Sequence, residues 1–202
     1  MKVIEIRRHS CTRKGDQRGI GSHLSAAGVE LAREVGEGMP AASHVMTSNV
    51  QRTLETALAM GFAVDRQMGP PPGLAEAALS ITGHLDRWSW ARPWQHFHTL
   101  ALAHVAVRDY GNWFRRAWLD ALTQVADRER VLVISHGRDI ELGVNSCLDD
   151  SSIENLGSLG ELLHQCEGVT LHHDGDGFRL GAIHRTRRCS QSDDSGRTNT
   201  GD

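Results

Sequence analysis

Residues 131–137 read Val-Leu-Val-Ile-Ser-His-Gly. Four aliphatic residues in an unbroken run, with no polar residue alternating, describe a strand covered on both faces, as strands of a parallel sheet are. Residues 138–148 beyond it read as a helix. Upstream, residues 2–6 form a first strand, followed by a polar loop from Arg8 to His23. Ser25 can cap a helix running to about Gly38, with Leu24 as a hydrophobic staple. Residues 44–47 are a short strand. Residues 49–60 are helical, with Val50, Leu54, Ala57 and Leu58 on one stripe. A third strand is expected at 62–64, before Pro70, Pro71 and Pro72 break the chain. A long helix spans 104–126. Residues 168–173 and 178–184 form a hairpin through Asp174-Gly175-Asp176-Gly177. Strands alternating with helices predict an α/β fold: a three-layer sandwich with a mostly parallel central sheet and helices on both faces.

The chain of 202 residues suits a single domain, expected over 1–184. All five Trp fall between 88 and 118, marking a helical, Trp-rich cap segment over about 73–118. Residues 185–202 contain no Leu, Ile, Val or Phe and are expected to be a disordered tail. A net charge of −3 argues against nucleic acid or a membrane surface as partner, since such binders are usually basic. No apolar run approaches the roughly 18 residues of a membrane span. Glu5, Arg7 and Arg8 stand where a signal peptide would be apolar. The four cysteines, at 11, 147, 166 and 189, form no CxxC pair and are expected to be reduced thiols. A cytoplasmic location is the expectation.

Ligands of open α/β sheets bind beyond the carboxyl ends of the strands. The first strand is followed by Arg8-His9-Ser10. The second runs into Ser48-Asn49-Val50-Gln51-Arg52. The strand at 131–135 ends in His136-Gly137. Three strand ends therefore deliver Arg8, His9, Arg52 and His136 to one edge of the sheet, where helix N-termini add N–H donors. That set predicts a pocket for a small dianion, phosphate above all. A zinc site using Cys11 or the His172-His173 pair finds little support, because adjacent residues of a strand point to opposite faces.

These stretches resemble the histidine phosphatase superfamily, in its phosphoglycerate mutase-like branch. The resemblance rests on Arg8-His9 after the first strand, Leu24-Ser25 with Gly28, and Ser48-x-x-x-Arg52-x-x-x-Thr56-Ala57. Leu74-Ala75-Glu76 and Ser135-His136-Gly137 complete it. It covers roughly residues 2–148 and implies a phosphoglycerate mutase-like fold. It further implies that His9 is a nucleophile that becomes phosphorylated. Arg8, Arg52 and His136 would hold the phosphoryl oxygens, and Glu76 would be the catalytic proton donor, with His84 and Asp86 in reserve. No metal or other cofactor is implied. Ser10 departs from the Gly usual there, and Cys11 replaces the acidic or Gln residue that often follows.

The chemistry matches these residue types. Phosphoryl transfer spreads charge over three oxygens, which planar guanidiniums and a second imidazole can hold. The nucleophilic imidazole must be neutral at the attacking nitrogen. The expected activity is a phosphomonoesterase, a hydrolase acting through phosphohistidine on a small phosphorylated substrate. A phosphoglycerate mutase-type phosphotransferase and a weakened phosphate-binding regulatory module are the alternatives.

Overall fold

A computed structural model describes residues 1–13, 21–82, 92–149, 152 and 159–188. Its elements in chain order are β1 (Lys2–Arg8), α1 (Ala26–Glu37), β2 (His44–Ser48), α2 (Gln51–Ala59), β3 (Arg66–Met68) and α3 (Pro72–Thr82). There follow α4 (Pro93–Ala103), α5 (Val105–Thr123), β4 (Arg130–Ser135), α6 (Gly137–Cys147), β5 (Gly168–His173) and β6 (Phe178–His184). The six strands form one sheet in the order β3-β2-β4-β1-β5-β6. β1, β2, β3 and β4 pair in parallel, while β5 and β6 add an antiparallel hairpin. The fold is the expected α/β sandwich, mostly parallel.

The apolar run of β4 serves two cores. Leu132 and Ile134 join Leu31, Ala32, Ala57 and Met60 on the α1–α2 side. Val131 and Val133 join Phe114, Trp118, Ile140 and Val144 on the α5–α6 side. Alternation along a strand sends neighbours to opposite faces, so a strand buried on both must be apolar throughout. Ser25 caps α1, its hydroxyl accepting from the Gly28 N–H at 3.0 Å.

Four expectations are corrected. The third strand lies at 66–68 rather than 62–64, because Phe62 and Val64 pack against the α1–α2 core instead of pairing. Helix α2 starts at Gln51, since Val50 is extended and its N–H donates to the Ser48 hydroxyl at 3.3 Å. Residues 185–188 are held to the body by charge, which an argument from apolar content does not weigh. The Arg185 guanidinium donates to the Glu167 carboxylate at 2.7 Å and to the carbonyls of Leu159 and Glu161. Arg187 pairs with Glu34. The rest of the expected tail, 189–202, lies outside the described residues. Finally, Cys11 is disulfide-bonded, whereas Cys147 and Cys166 are free and buried. Spacing along the chain does not report which thiols the fold brings together.

Trp94 and Trp118 are fully buried with Phe97 and Phe114, so they fill core. Trp88 and Trp90 lie outside the described residues. Among the described residues, no helix is long and apolar enough to cross a membrane.

Candidate active site

Register brings the site together before any side chain is considered. Arg8 pairs with Ser135 across β1 and β4, and the His9 N–H donates to the Ser135 carbonyl at 2.9 Å. His9 and His136 are thus the first residues past two adjacent parallel strands. β2 lies on the other side of β4, and its last residue, Ser48, leads into α2 and Arg52. Arg8, His9, Ser48, Arg52 and His136 all line one cavity of about 670 Å³.

The loop after β1 is pinned from two helices. The Ser10 N–H donates to the Thr56 hydroxyl at 3.0 Å, and the Ser10 hydroxyl donates to the Gly28 carbonyl at 2.7 Å. Gly28 is required by this close approach: a Cβ there would lie 2.1 Å from the Cys11 carbonyl oxygen. Ser10 is fully buried and absent from the cavity wall, so its side chain anchors the loop and leaves the phosphate region open. At the other strand end, a Cβ on Gly137 would lie 3.3 Å from Arg8 Nη1. Arg8 Nη1 donates to the Leu163 carbonyl at 2.6 Å.

The two imidazoles have defined tautomers. A carbonyl oxygen only accepts, so His9 Nδ1, 2.7 Å from the Ser10 carbonyl, carries a proton. Burial, with Arg52 and Arg8 adding repulsion, lowers the pKa of His9 from 6.5 to about 3. The ring is therefore neutral near pH 7, and its Nε2 holds a lone pair. A guanidinium only donates, so His136 Nδ1 accepts from Arg52 Nη2 at 3.1 Å. His136 Nε2–H then donates to the Ser48 hydroxyl at 2.9 Å. Burial, then His9, Arg52 and Arg8, bring His136 to about 3 as well. In both cases burial is the main cause, and the neighbouring guanidiniums push in the same direction. Burial also lowers Arg52, with Arg8 adding to the effect and Asp139 opposing it.

The remaining walls are mostly apolar. Ala75 and Leu79 of α3, Phe97 of α4, Tyr110 of α5, and Val50, Pro70 and Leu162 line them. Glu76, expected in the site, is exposed and absent from these walls. Residues 75 and 79 are one helical turn apart and line the cavity, while residue 76 is rotated about 100° from residue 75 and about 60° from residue 79. His84 and Asp86 lie outside the described residues. Two acids that the sequence did not single out do line the cavity, Asp139 and Glu141 of α6. Ser48, Thr56 and Tyr110 were likewise unassigned. The available signal was in residues 138–142, Arg-Asp-Ile-Glu-Leu, where acids interrupt apolar positions of a helix that is buried nearly all round. Among the described residues, no group of three or more His, Cys, Asp or Glu is arranged to hold a metal ion.

A family model described as histidine phosphatase superfamily (branch 1) matches residues 6–186. The chain belongs to this superfamily. Its fold is similar to that of phosphoserine phosphatase from Entamoeba histolytica, solved with 3-phosphoglyceric acid, at 15% identity and a TM-score of 0.64. That match covers 93% of this chain and 98% of the other. A mycobacterial glucosyl-3-phosphoglycerate phosphatase matches at 16% identity and a TM-score of 0.56, covering 91% and 99% of the two chains. The protein histidine phosphatase SixA, solved with tungstate, matches at 15% and 0.54, covering 90% and 96%. At such identities the likeness concerns the fold. No curated protein sequence matches the chain. Within the superfamily fold, the parallel strand ends carry the cationic cluster described above.

Proposed function

We propose that this superfamily member is a metal-independent phosphomonoesterase that transfers the phosphoryl group of a small substrate to His9 and then to water. The observation that carries this reading is the pair of neutral imidazoles, His9 and His136, set between Arg8 and Arg52. Arg8, Arg52 and His136 hold the phosphoryl oxygens, supplying fixed donors where charge develops. The uncapped N-terminus of α6 adds the Gly137 and Arg138 N–H groups. His9 Nε2 attacks phosphorus while Nδ1–H stays on the Ser10 carbonyl, which fixes the ring and supports the charge it gains. Water then releases phosphate from His9.

The walls above the cationic floor suit a compact organic group with an apolar side, because Val50, Ala75, Leu79, Phe97 and Leu162 offer it no hydrogen bonds. A screen of phosphorylated metabolites tests the reading, with an aryl phosphate and phosphoglycerate included and His9→Ala as control. Hydrolysis of monoesters that vanishes in His9→Ala is expected. Transfer between the hydroxyls of phosphoglycerate without release of phosphate would instead make the protein a mutase. Phosphate binding with no turnover of any ester would leave a binding module.

A further inference from the structure

A phosphatase at this site needs a proton for the leaving oxygen, and Glu76 is turned to solvent. Asp139 occupies the first turn of α6, three residues past His136, and lines the same cavity. Side chains on a helix lean toward its N-terminus, which here is the phosphate end. One Asp139 oxygen, Oδ1, accepts from the Tyr110 hydroxyl at 2.9 Å. That bond holds the carboxyl against α5, at the wall of the cavity that Asp139 lines. Asp139 forms no salt bridge among the described residues and keeps 9% of its surface exposed. A carboxylate so placed beside a bound dianion would be strongly repelled, unless it held a proton.

We propose that Asp139, positioned by Tyr110, is the general acid and then the general base of the phosphatase reaction. The assignment rests on the phosphatase reading above. In the first step the His9 Nε2–P bond forms and the P–O bond to the alcohol breaks. The electron pair of that bond goes to the leaving oxygen, which takes the Asp139 proton. In the second step a water oxygen attacks phosphorus and its proton passes to the Asp139 carboxylate. The N–P bond breaks and its electron pair returns to Nε2. Atoms and charge balance in both steps.

The electrostatic surroundings agree with this role. Burial raises Asp139 to about 6, against the lowering effect of the Tyr110 hydroxyl, Arg138, Ser135 and Arg52. Glu141, two residues further along α6, is raised by burial to about 8, against the lowering effect of the Leu163 N–H and Arg8, and is mostly protonated at neutral pH. Its Oε1 is engaged by the Leu163 N–H at 3.0 Å. Asp139, at the phosphate end of α6, is thus able both to give and to take a proton near neutrality. A phosphate bound between Arg8 and Arg52 raises it further.

The test compares two leaving groups in single-turnover kinetics. p-Nitrophenyl phosphate releases an alcohol that needs no proton, whereas an alkyl phosphate releases one that does. For Asp139→Asn the expected result is alcohol release slowed about 100-fold or more for the alkyl ester and less than about tenfold for the aryl ester. Phosphohistidine then accumulates with the aryl ester, because the water step has lost its base. Equal losses on both esters overturn the assignment, as does a leaving-group-dependent loss in Glu76→Gln. Should Asp139→Asn not fold, Tyr110→Phe carries the test. Without the hydroxyl the carboxylate is less stabilised, so the basic limb of the alcohol-release pH profile moves to higher pH. A folded Tyr110→Phe protein with an unmoved limb overturns the proposal. Wild-type protein that hydrolyses neither ester overturns the phosphatase reading itself. Wild-type hydrolysis with uniform loss in Asp139→Asn overturns only the role of Asp139.

Discussion

The rings of His9 and His136 lie edge to face, with centroids 5.2 Å apart and planes at 64°. They belong to positions 127 residues apart in sequence and meet because β1 and β4 are adjacent and parallel. Two imidazoles at this separation, flanked by two guanidiniums, would repel one another if charged. Their neutrality is therefore a condition of the folded site.

Removing either ring should separate their roles. His9→Ala is expected to abolish turnover and to leave no acid-labile phosphate on the protein after rapid quench. His136→Ala keeps the nucleophile but loses one donor, so kcat should fall roughly 10²–10³-fold while phosphohistidine still forms. A His9→Ala protein that turns over at the wild-type rate would remove the covalent route.

Stability should fall on acidification through a defined window. The folded pKa values of His9 and His136 lie near 3 and the unfolded ones near 6.5. Between these values the unfolded chain binds protons that the folded chain does not, so stability decreases as pH drops from about 6.5 toward 3. Denaturant unfolding at a series of pH values checks this. Replacing both histidines with Gln should flatten the curve over that interval.

Glu5 shows how the sheet carries buried charge beneath the site. It is 1% exposed and accepts from Arg7 Nε at 2.5 Å and from Arg130 on the next strand. Glu5→Ala leaves Arg7 buried without its counter-ion. The expected cost is about 3–5 kcal/mol of unfolding free energy, measured by urea titration. Arg130, partly exposed, can turn to water and contributes less to that loss.

Ser10 should prove a structural replacement for the superfamily glycine. Its hydroxyl bonds the Gly28 carbonyl and its side chain is fully buried. Ser10→Gly is expected to lower stability by about 1 kcal/mol through the lost hydrogen bond and the freer backbone. The kcat of that variant should stay within about threefold of wild type. A large rise in kcat would mean that Ser10 obstructs the phosphate region after all.

Much of this protein was legible from local sequence. The apolar run at 131–134 required a strand covered on both faces, and the hairpin turn at 174–177 named its own geometry. Arg8, His9, Arg52 and His136 were found because each follows a strand, and a parallel sheet puts all such ends on one edge. What the sequence could not fix was rotation and packing. Leu-x-Glu at 74–76 matched a motif, but the turn of α3 that faces Ala75 and Leu79 inward sends Glu76 to solvent. The acids at 139 and 141 carried no assigned role, and it is the packing of α4, α5 and β1 on α6 that buries them. Phe62 and Val64 were strand-like by composition, yet packing drew them into the α1–α2 core. Where the strands fall and which residues follow them depend on near neighbours along the chain, so the sequence determines them. Which side of a helix is buried, and hence where a carboxyl keeps its proton, depends on surfaces contributed by distant segments, and only the tertiary structure decides it.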